Sequence, residues 1–394
     1  MFINFDIPDN GVGVITVTPI SFTKDGLKSS PKPSDEEKFR VSSSDIFSTV
    51  LSIVFRLIAV SLNISLAIEY YNRKLFYYSG WTVLCIVLPC IITTLIYVKM
   101  YLDDCNAEGS CKKWSAGKII WVLFITPFFF RYWRSLIYSI KCKRCETSNN
   151  LEAQKKYYKK MMREECDVAL VRIFECTLET TPQKVLQIGI ILSDLEINLM
   201  QFLAILSYFG SMAWCIVFYN RYNRFYQKDK EQMTTSAVTL QFLFNFCLLV
   251  GRTLSIAIVA SLFPLEILIA CLLHAFAFGL ATFFIDRPTF CSKQCFGSMV
   301  FSMLLGCVYI FMYILTKEGK TFFKYLCYYG IYILENVVCV VVFWMFALTR
   351  LSFILIPLVV LPLALSFFGV IFMIVYYKFY HPNITARREI VLTS

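Results

Sequence analysis

Ten apolar stretches, at about 46–70, 80–101, 116–139, 168–192, 199–219, 236–262, 264–285, 297–315, 324–347 and 352–377, take up most of this 394-residue chain. A helix needs roughly 20 predominantly apolar residues to cross the hydrocarbon of a bilayer, so nearly the whole chain is membrane domain. Hydrocarbon offers no partner for backbone N–H and C=O groups, and helices satisfy those groups internally. The expected fold is all-α and polytopic. Only residues 1–45, the 140–166 loop, a few shorter loops and the last dozen or so residues are free to be aqueous. That leaves little room for a soluble catalytic domain. No nucleophile, metal or phosphate-binding constellation stands above chance, so neither an enzyme nor a cofactor is expected.

The net charge of +11 is high for a chain with only 16% charged residues. The basic residues flank apolar helices, which fits cytosolic loops facing anionic lipid and excludes nucleic acid as a natural partner. Most of the sixteen cysteines lie in apolar segments, where cysteine acts as a small hydrophobe. Cys142 and Cys145, with Cys105 and Cys111, have a conceivable zinc arrangement. Scattered reduced thiols are the simpler account, and no metal is expected.

Basic residues also set the topology. The 140–166 loop carries Lys141, Lys143, Arg144, Lys155, Lys156, Lys159, Lys160 and Arg163, and the 220–235 segment carries Arg221, Arg224, Lys228 and Lys230. If all ten stretches spanned from a cytosolic N-terminus, both segments would face outward, against the positive-inside rule. Letting the 116–139 and 297–315 stretches enter and return to the cytosolic side repairs this, and Pro127 makes the first of them plausible. Eight helices then span, two hairpins re-enter, both termini are cytosolic, and the order span, span, re-entrant, span, span occurs twice. The expected parts are a cytosolic segment 1–45, a first repeat 46–219, a linker 220–235, a second repeat 236–377 and a short tail 378–394. The Asn383–Thr385 sequon should then carry no glycan.

The helices are not uniformly apolar. In 168–192, Arg172, Glu175, Glu179, Gln183 and Gln187 recur at steps of three or four and share one face. Asp45, Thr49, Ser52, Arg56 and Asn63 do so in the first helix, and Gln241, Asn245, Arg252 and Ser255 in the helix after the second basic segment. Arg131, Glu266, Glu335 and Asn336 add further intramembrane polar groups. Each central charge facing lipid alone costs about 2.5–3.5 kcal/mol on insertion scales, so these groups must pair or face water. Arg56, Arg131, Arg172 and Arg252 against Glu175, Glu179, Glu266 and Glu335 permit near neutrality. Structural ion pairs are one reading; a continuous polar path for a lipid headgroup, an ion or a small solute is the other. Pro182 interrupts the richest stripe and predicts a kink or local unwinding.

FECTLETTPQ within 170–192, ILENVV at 333–338, YYKFYHP at 376–382, RTLSIAIVASLFP at 252–264 and SDIFSTVL opening the first helix together resemble the XK-related membrane proteins over roughly residues 44–382. The resemblance implies eight spanning helices and two re-entrant hairpins in pseudo-symmetric halves. It also implies a plasma-membrane scramblase that exposes phosphatidylserine in apoptosis, or a partner of a lipid-transfer protein or accessory subunit. Scramblase relatives carry acidic residues in the first helix where this chain has Ala59 and Asn63. The lipid path expected on this basis comprises Asp45, Arg56, Asn63, Arg131, Arg172, Glu175, Glu179, Gln183, Gln187, Asn245, Arg252, Glu266, Glu335 and Asn336. A caspase is the expected activator: Asp6-Ile7-Pro8-Asp9 has the spacing of an executioner-caspase site. A solute or ion transporter, or a docking protein using the 140–166 loop, are the rival readings.

Overall fold

The computed structural model describes residues 41, 43–108, 127–194, 199–226, 233–286, 295–314, 322–347 and 352–381. The described residues form helices joined by short turns, with no strand among them. In chain order these are α1 (Ser43–Asn72), α2 (Phe76–Glu108), α3 (Pro127–Thr147), α4 (Leu151–Glu175), α5 (Thr181–Asp194) and α6 (Leu199–Tyr226). The second half contains α7 (Thr235–Ala260), α8 (Pro264–Ala281), α9 (Cys295–Tyr309), α10 (Phe322–Ala347) and α11 (Ser352–Val375). By length and composition α2, α7, α8, α10 and α11 are apolar enough to cross a membrane, so the chain is a multi-pass membrane protein. Residues such as Leu62, Leu88, Leu272, Leu334 and Phe367 are exposed on these helices and α1, as lipid-facing side chains must be.

The basic 140–166 segment is not a loop. It is helical on both sides of a short turn at 148–150. Lys and Glu are good helix formers, and Asn150 caps α4 by accepting a hydrogen bond from the backbone N–H of Ala153. The helix expected to begin near residue 168 therefore begins at Leu151, and its charged first turns pack against α3. Hydropathy marks where a helix enters lipid, not where it starts.

α4 continues into α5 through a π-helical turn, Cys176–Thr180, immediately before Pro182. Proline has no N–H to donate, and the wider turn absorbs that loss. Both the backbone N–H and the hydroxyl of Thr181 donate to the Cys176 carbonyl. The kink expected from Pro182 thus takes the form of a π turn carrying Glu179.

Hydrogen bonds fix the helix directions. Thr49 donates to Glu165 and Asn63 to Glu179, each across a separation of 116 residues, so α1 runs parallel to α4–α5. In the second half Arg252 donates to Asn336 and Tyr332 to the Leu248 carbonyl, each across 84 residues, so α7 runs parallel to α10. The first and fourth long helices of each half are parallel and joined by polar side chains. α3 is antiparallel to α4, with Ser135 beside Glu165 and Tyr132 beside Arg172. It therefore starts near mid-length of α1. A π-helical turn, Thr282–Asp286, continues α8 as one rod, and an ion pair between Asp286 and Lys324 brings its end beside the start of α10.

The core lies where the halves meet. α4–α5, α6, α7, α9 and α10 share one buried apolar cluster, in which Phe174 packs edge-on against Phe301.

Candidate functional site

Two polar assemblies lie within the helical body. The first is a seam between α1 and α4–α5. Glu165, Glu175, Glu179 and Gln183 are all buried along one face of α4–α5. Side chains join α1 to α4–α5. Thr49 donates to Glu165 Oε1 at 3.5 Å, and Asn63 Nδ2 donates to Glu179 Oε1 at 3.2 Å. Beyond them Gln183 Nε2 donates to the Thr82 carbonyl of α2 at 3.5 Å, while Gln183 Oε1 is buried without a partner. At a rise of 1.5 Å per residue, the row from Glu165 to Gln183 is about 27 Å long, close to the ~30 Å hydrocarbon thickness of a bilayer.

Arg172 stands between Glu165 and Glu175 in the sequence of α4 and turns toward α3 and α6. Its guanidinium donates to the Tyr132 hydroxyl at 3.1 Å and the Ser211 hydroxyl at 3.3 Å. Its charge thus meets neutral hydroxyls where α3, α4 and α6 converge. Below it, Ser135 donates to Glu165, and Arg134 pairs with Glu164 at 2.9 Å.

The second assembly closes around the end of α9. Arg252 on α7 is 4% exposed, and its donors fan out to three neighbours: Nε to the Ile310 carbonyl at 2.8 Å, Nη1 to Asn336 Oδ1 at 3.0 Å and Nη2 to Glu335 Oε2 at 2.5 Å. The His274 ring bridges Glu335 Oε1 at 2.8 Å and the Tyr309 carbonyl at 3.1 Å. The Tyr328 hydroxyl donates to the same carbonyl at 2.8 Å, and Asn336 Nδ2 donates to Ser366 at 3.0 Å. The last carbonyls of a helix have no partner within it and carry partial negative charge. α9 ends inside the protein, so these carbonyls need donors there, and Arg252, His274 and Tyr328 supply them.

The residues expected from sequence are thus dispersed. Asn63 and Glu179 meet in the seam and Gln183 continues it toward α2, Glu175 is buried on α4, and Arg172 on the same helix is held by α3 and α6. Arg252, Glu335 and Asn336 form the α9 clamp. Gln187 is half-buried and accepts from Lys184 at 2.8 Å. Asn245 turns back to donate to the Gln241 carbonyl of its own helix at 2.7 Å. Glu266 is exposed in the first turn of α8 and joins neither assembly. Asp45 and Arg56 on α1 and Arg131 on α3 are described only as helical backbone. Asp6, Asp9, the 116–126 arm and the Asn383–Thr385 sequon lie outside the described residues.

Glu164 and Glu165 are additions to the residues expected from sequence, and His274, which reads there as a helix-packing residue, joins the clamp. Glu165 had a legible signal: it stands seven residues before Arg172 and extends the stripe. A lone histidine in an apolar helix gives no such signal. Of the cysteines weighed for zinc, Cys142 is buried, with its thiol donating to the Gln154 carbonyl, and burial pushes its pKa up to about 11. Among the described residues no cluster of three or more His, Cys, Asp or Glu is arranged to hold a metal.

The family model of the XK-related protein matches residues 47–382, a span containing both assemblies. The chain is also similar to Cell death abnormality protein 8 of Caenorhabditis elegans, at 25% identity over 81% of this chain and 74% of that protein. The chain belongs to the XK-related protein family.

Proposed function

We propose that this protein is a phospholipid scramblase of the plasma membrane, moving lipids, phosphatidylserine among them, between leaflets without energy input in dying cells. The observation that carries the reading is the α1/α4–α5 seam, a buried polar row about as long as the hydrocarbon is thick. A scramblase lowers the cost of taking a charged headgroup through hydrocarbon while the acyl tails stay in lipid. Arg172, held by two neutral hydroxyls, suits a phosphate, which guanidinium binds bidentately. Glu165, Glu175 and Glu179 suit the ammonium that accompanies it. The step makes and breaks no covalent bond, so it needs neither nucleophile nor cofactor. Because α1 meets α4–α5 through side-chain hydrogen bonds, α1 is the wall whose movement opens the row to lipid.

The topology belongs to the same reading: eight spans, two re-entrant hairpins and cytosolic termini. It is supported by α3 starting beside the middle of α1, by α9 ending at the level of Arg252, and by Asp286 meeting Lys324 across the intervening segment. A role in cell death is supported by similarity to Cell death abnormality protein 8. Cleavage by a caspase after Asp9 is the proposed switch.

The test is exchange of labelled phosphatidylserine between leaflets of liposomes containing the purified protein, before and after treatment with active caspase. Exchange is expected, rising on cleavage. Its absence in both conditions, with the protein intact and folded, would overturn the reading. Coupled solute uptake without lipid exchange would assign the chain to transport instead.

A further inference from the structure

The charged tip of the α3–α4 hairpin plays no part in the seam. Its inner side is packed: Cys142, Gln154, Met161 and Met162 are buried, and Tyr138 stacks on Tyr157. Its outer side carries Lys141 and Arg144 on α3 and Lys155, Lys156 and Lys159 on α4, all exposed. On α4 Lys159 stands one turn beyond both Lys155 and Lys156. Lys141 also lies over the Tyr157 ring at 5.6 Å, so the patch has an aromatic base.

Position decides what this patch meets. Lys143 Nζ donates to Ser43 at the first turn of α1. Four residues further along α1, a rise of about 6 Å, Phe47 is exposed, and with α1 read as a spanning helix this large apolar side chain marks its entry into lipid. The basic tip therefore lies within one or two Debye lengths of the point where α1 enters the membrane, that length being about 8 Å at physiological ionic strength. Because the hairpin is helical and capped at Asn150, the backbone positions of these cations are fixed relative to α1.

We propose that this hairpin tip is a sensor of anionic phospholipid in the leaflet beside it, docking on phosphatidylserine-rich bilayer through Lys155, Lys156 and Lys159 with Lys141 and Arg144. The proposal rests on the orientation given above only in calling that leaflet cytosolic. A protein that moves anionic lipid out of this leaflet would thereby read the composition it depletes. Each basic residue near a charged surface strengthens attraction roughly fivefold, and the effect is screened by salt.

The experiment is hydrogen–deuterium exchange of the full chain in nanodiscs of phosphatidylcholine alone or with phosphatidylserine. Amides of residues 141–160 are expected to exchange several-fold more slowly with phosphatidylserine. The difference should collapse in about 1 M salt, where the Debye length is ~3 Å, and in the triple variant Lys155→Gln, Lys156→Gln, Lys159→Gln. Protection around Glu179 serves as the folding control for that variant. Equal exchange in the two lipids would overturn the proposal. So would protection that appears only when a soluble acidic protein is added, which would make the tip a protein-docking surface. Leaflet exchange is not the readout, so failure here leaves the scramblase reading standing, and failure there leaves this one.

Discussion

Arg252 and Arg172 occupy opposite halves of the molecule and predict opposite mutant phenotypes. Arg252 ties three elements to one guanidinium, and Arg252→Ala leaves Glu335 and the Ile310 carbonyl without that donor. Breaking a fully buried pair by removing one partner costs about 3–5 kcal/mol; Glu335 is 33% exposed and keeps His274, so the cost falls below that range, and this variant should still melt below the wild type in a detergent thermal-shift assay. Glu335→Gln should cost less, because Asn336 and the α9 carbonyl still hold the guanidinium. A melting temperature unchanged by Arg252→Ala would mean that the clamp does not hold α9. Arg172 has only hydroxyl partners, so Arg172→Gln should leave melting nearly unchanged while cutting lipid exchange about tenfold or more, equivalent to ~1.4 kcal/mol. Glu179→Gln, which can still accept from Asn63, should behave in the same way. The pairing of Arg252 with Glu335 and Asn336 was legible because charges in apolar helices must find partners. That Arg172 would meet no carboxylate was not, because like-faced residues on one helix say nothing of which neighbour approaches them.

At the scale of helices, α9 depends on close approach. A Cβ on Gly306 would lie 2.0 Å from the Ala275 carbonyl of α8, and one on Gly279 would lie 2.8 Å from the Met303 sulfur of α9. The two helices touch backbone to backbone, as small-residue interfaces do in membranes. Gly306→Ala must push α9 away from α8 and so draw its terminal carbonyls off Arg252 and His274. It should lower the melting temperature as Arg252→Ala does, and the two changes should be less than additive because both release the same helix end. Gly330→Ala, where no atom lies within 4 Å of the added Cβ, should be neutral or stabilising by about 0.5–1 kcal/mol. If Gly306→Ala proved as harmless as Gly330→Ala, the close α8–α9 contact would be wrong. The apolar stretches made most helices readable, and Pro182 marked the distortion in α4–α5. The start of α4 at Leu151 was not readable from hydropathy, since its lysines are aqueous yet helical. Nor could sequence reveal that α9 stops beside Arg252, which depends on donors supplied by three other helices.

Across the whole molecule the halves share a plan and differ in how it is closed. Each sets its first long helix parallel to its fourth. In the second half that junction is shut by a charged pair, an amide and the end of α9. In the first, α1 is linked to α4–α5 chiefly through long polar side chains, with hydroxyl and amide donors on α1 and carboxylates opposite. The described links from α1 to α4–α5 are the hydrogen bonds of Thr49 and Asn63 to Glu165 and Glu179, and the proposed lipid route places the opening there. A bifunctional methanethiosulfonate joining Thr49→Cys to Glu165→Cys should therefore arrest lipid exchange, with recovery on reduction. The same reagent across Asp286→Cys and Lys324→Cys, at the end of the α8 rod and the start of α10, should leave exchange unaffected, since no opening is required there. Mass spectrometry of the cross-linked peptides would identify which pair had reacted. Arrest by the second cross-link and not the first would move the route to the second half, and with it the roles assigned here to Arg172 and Arg252.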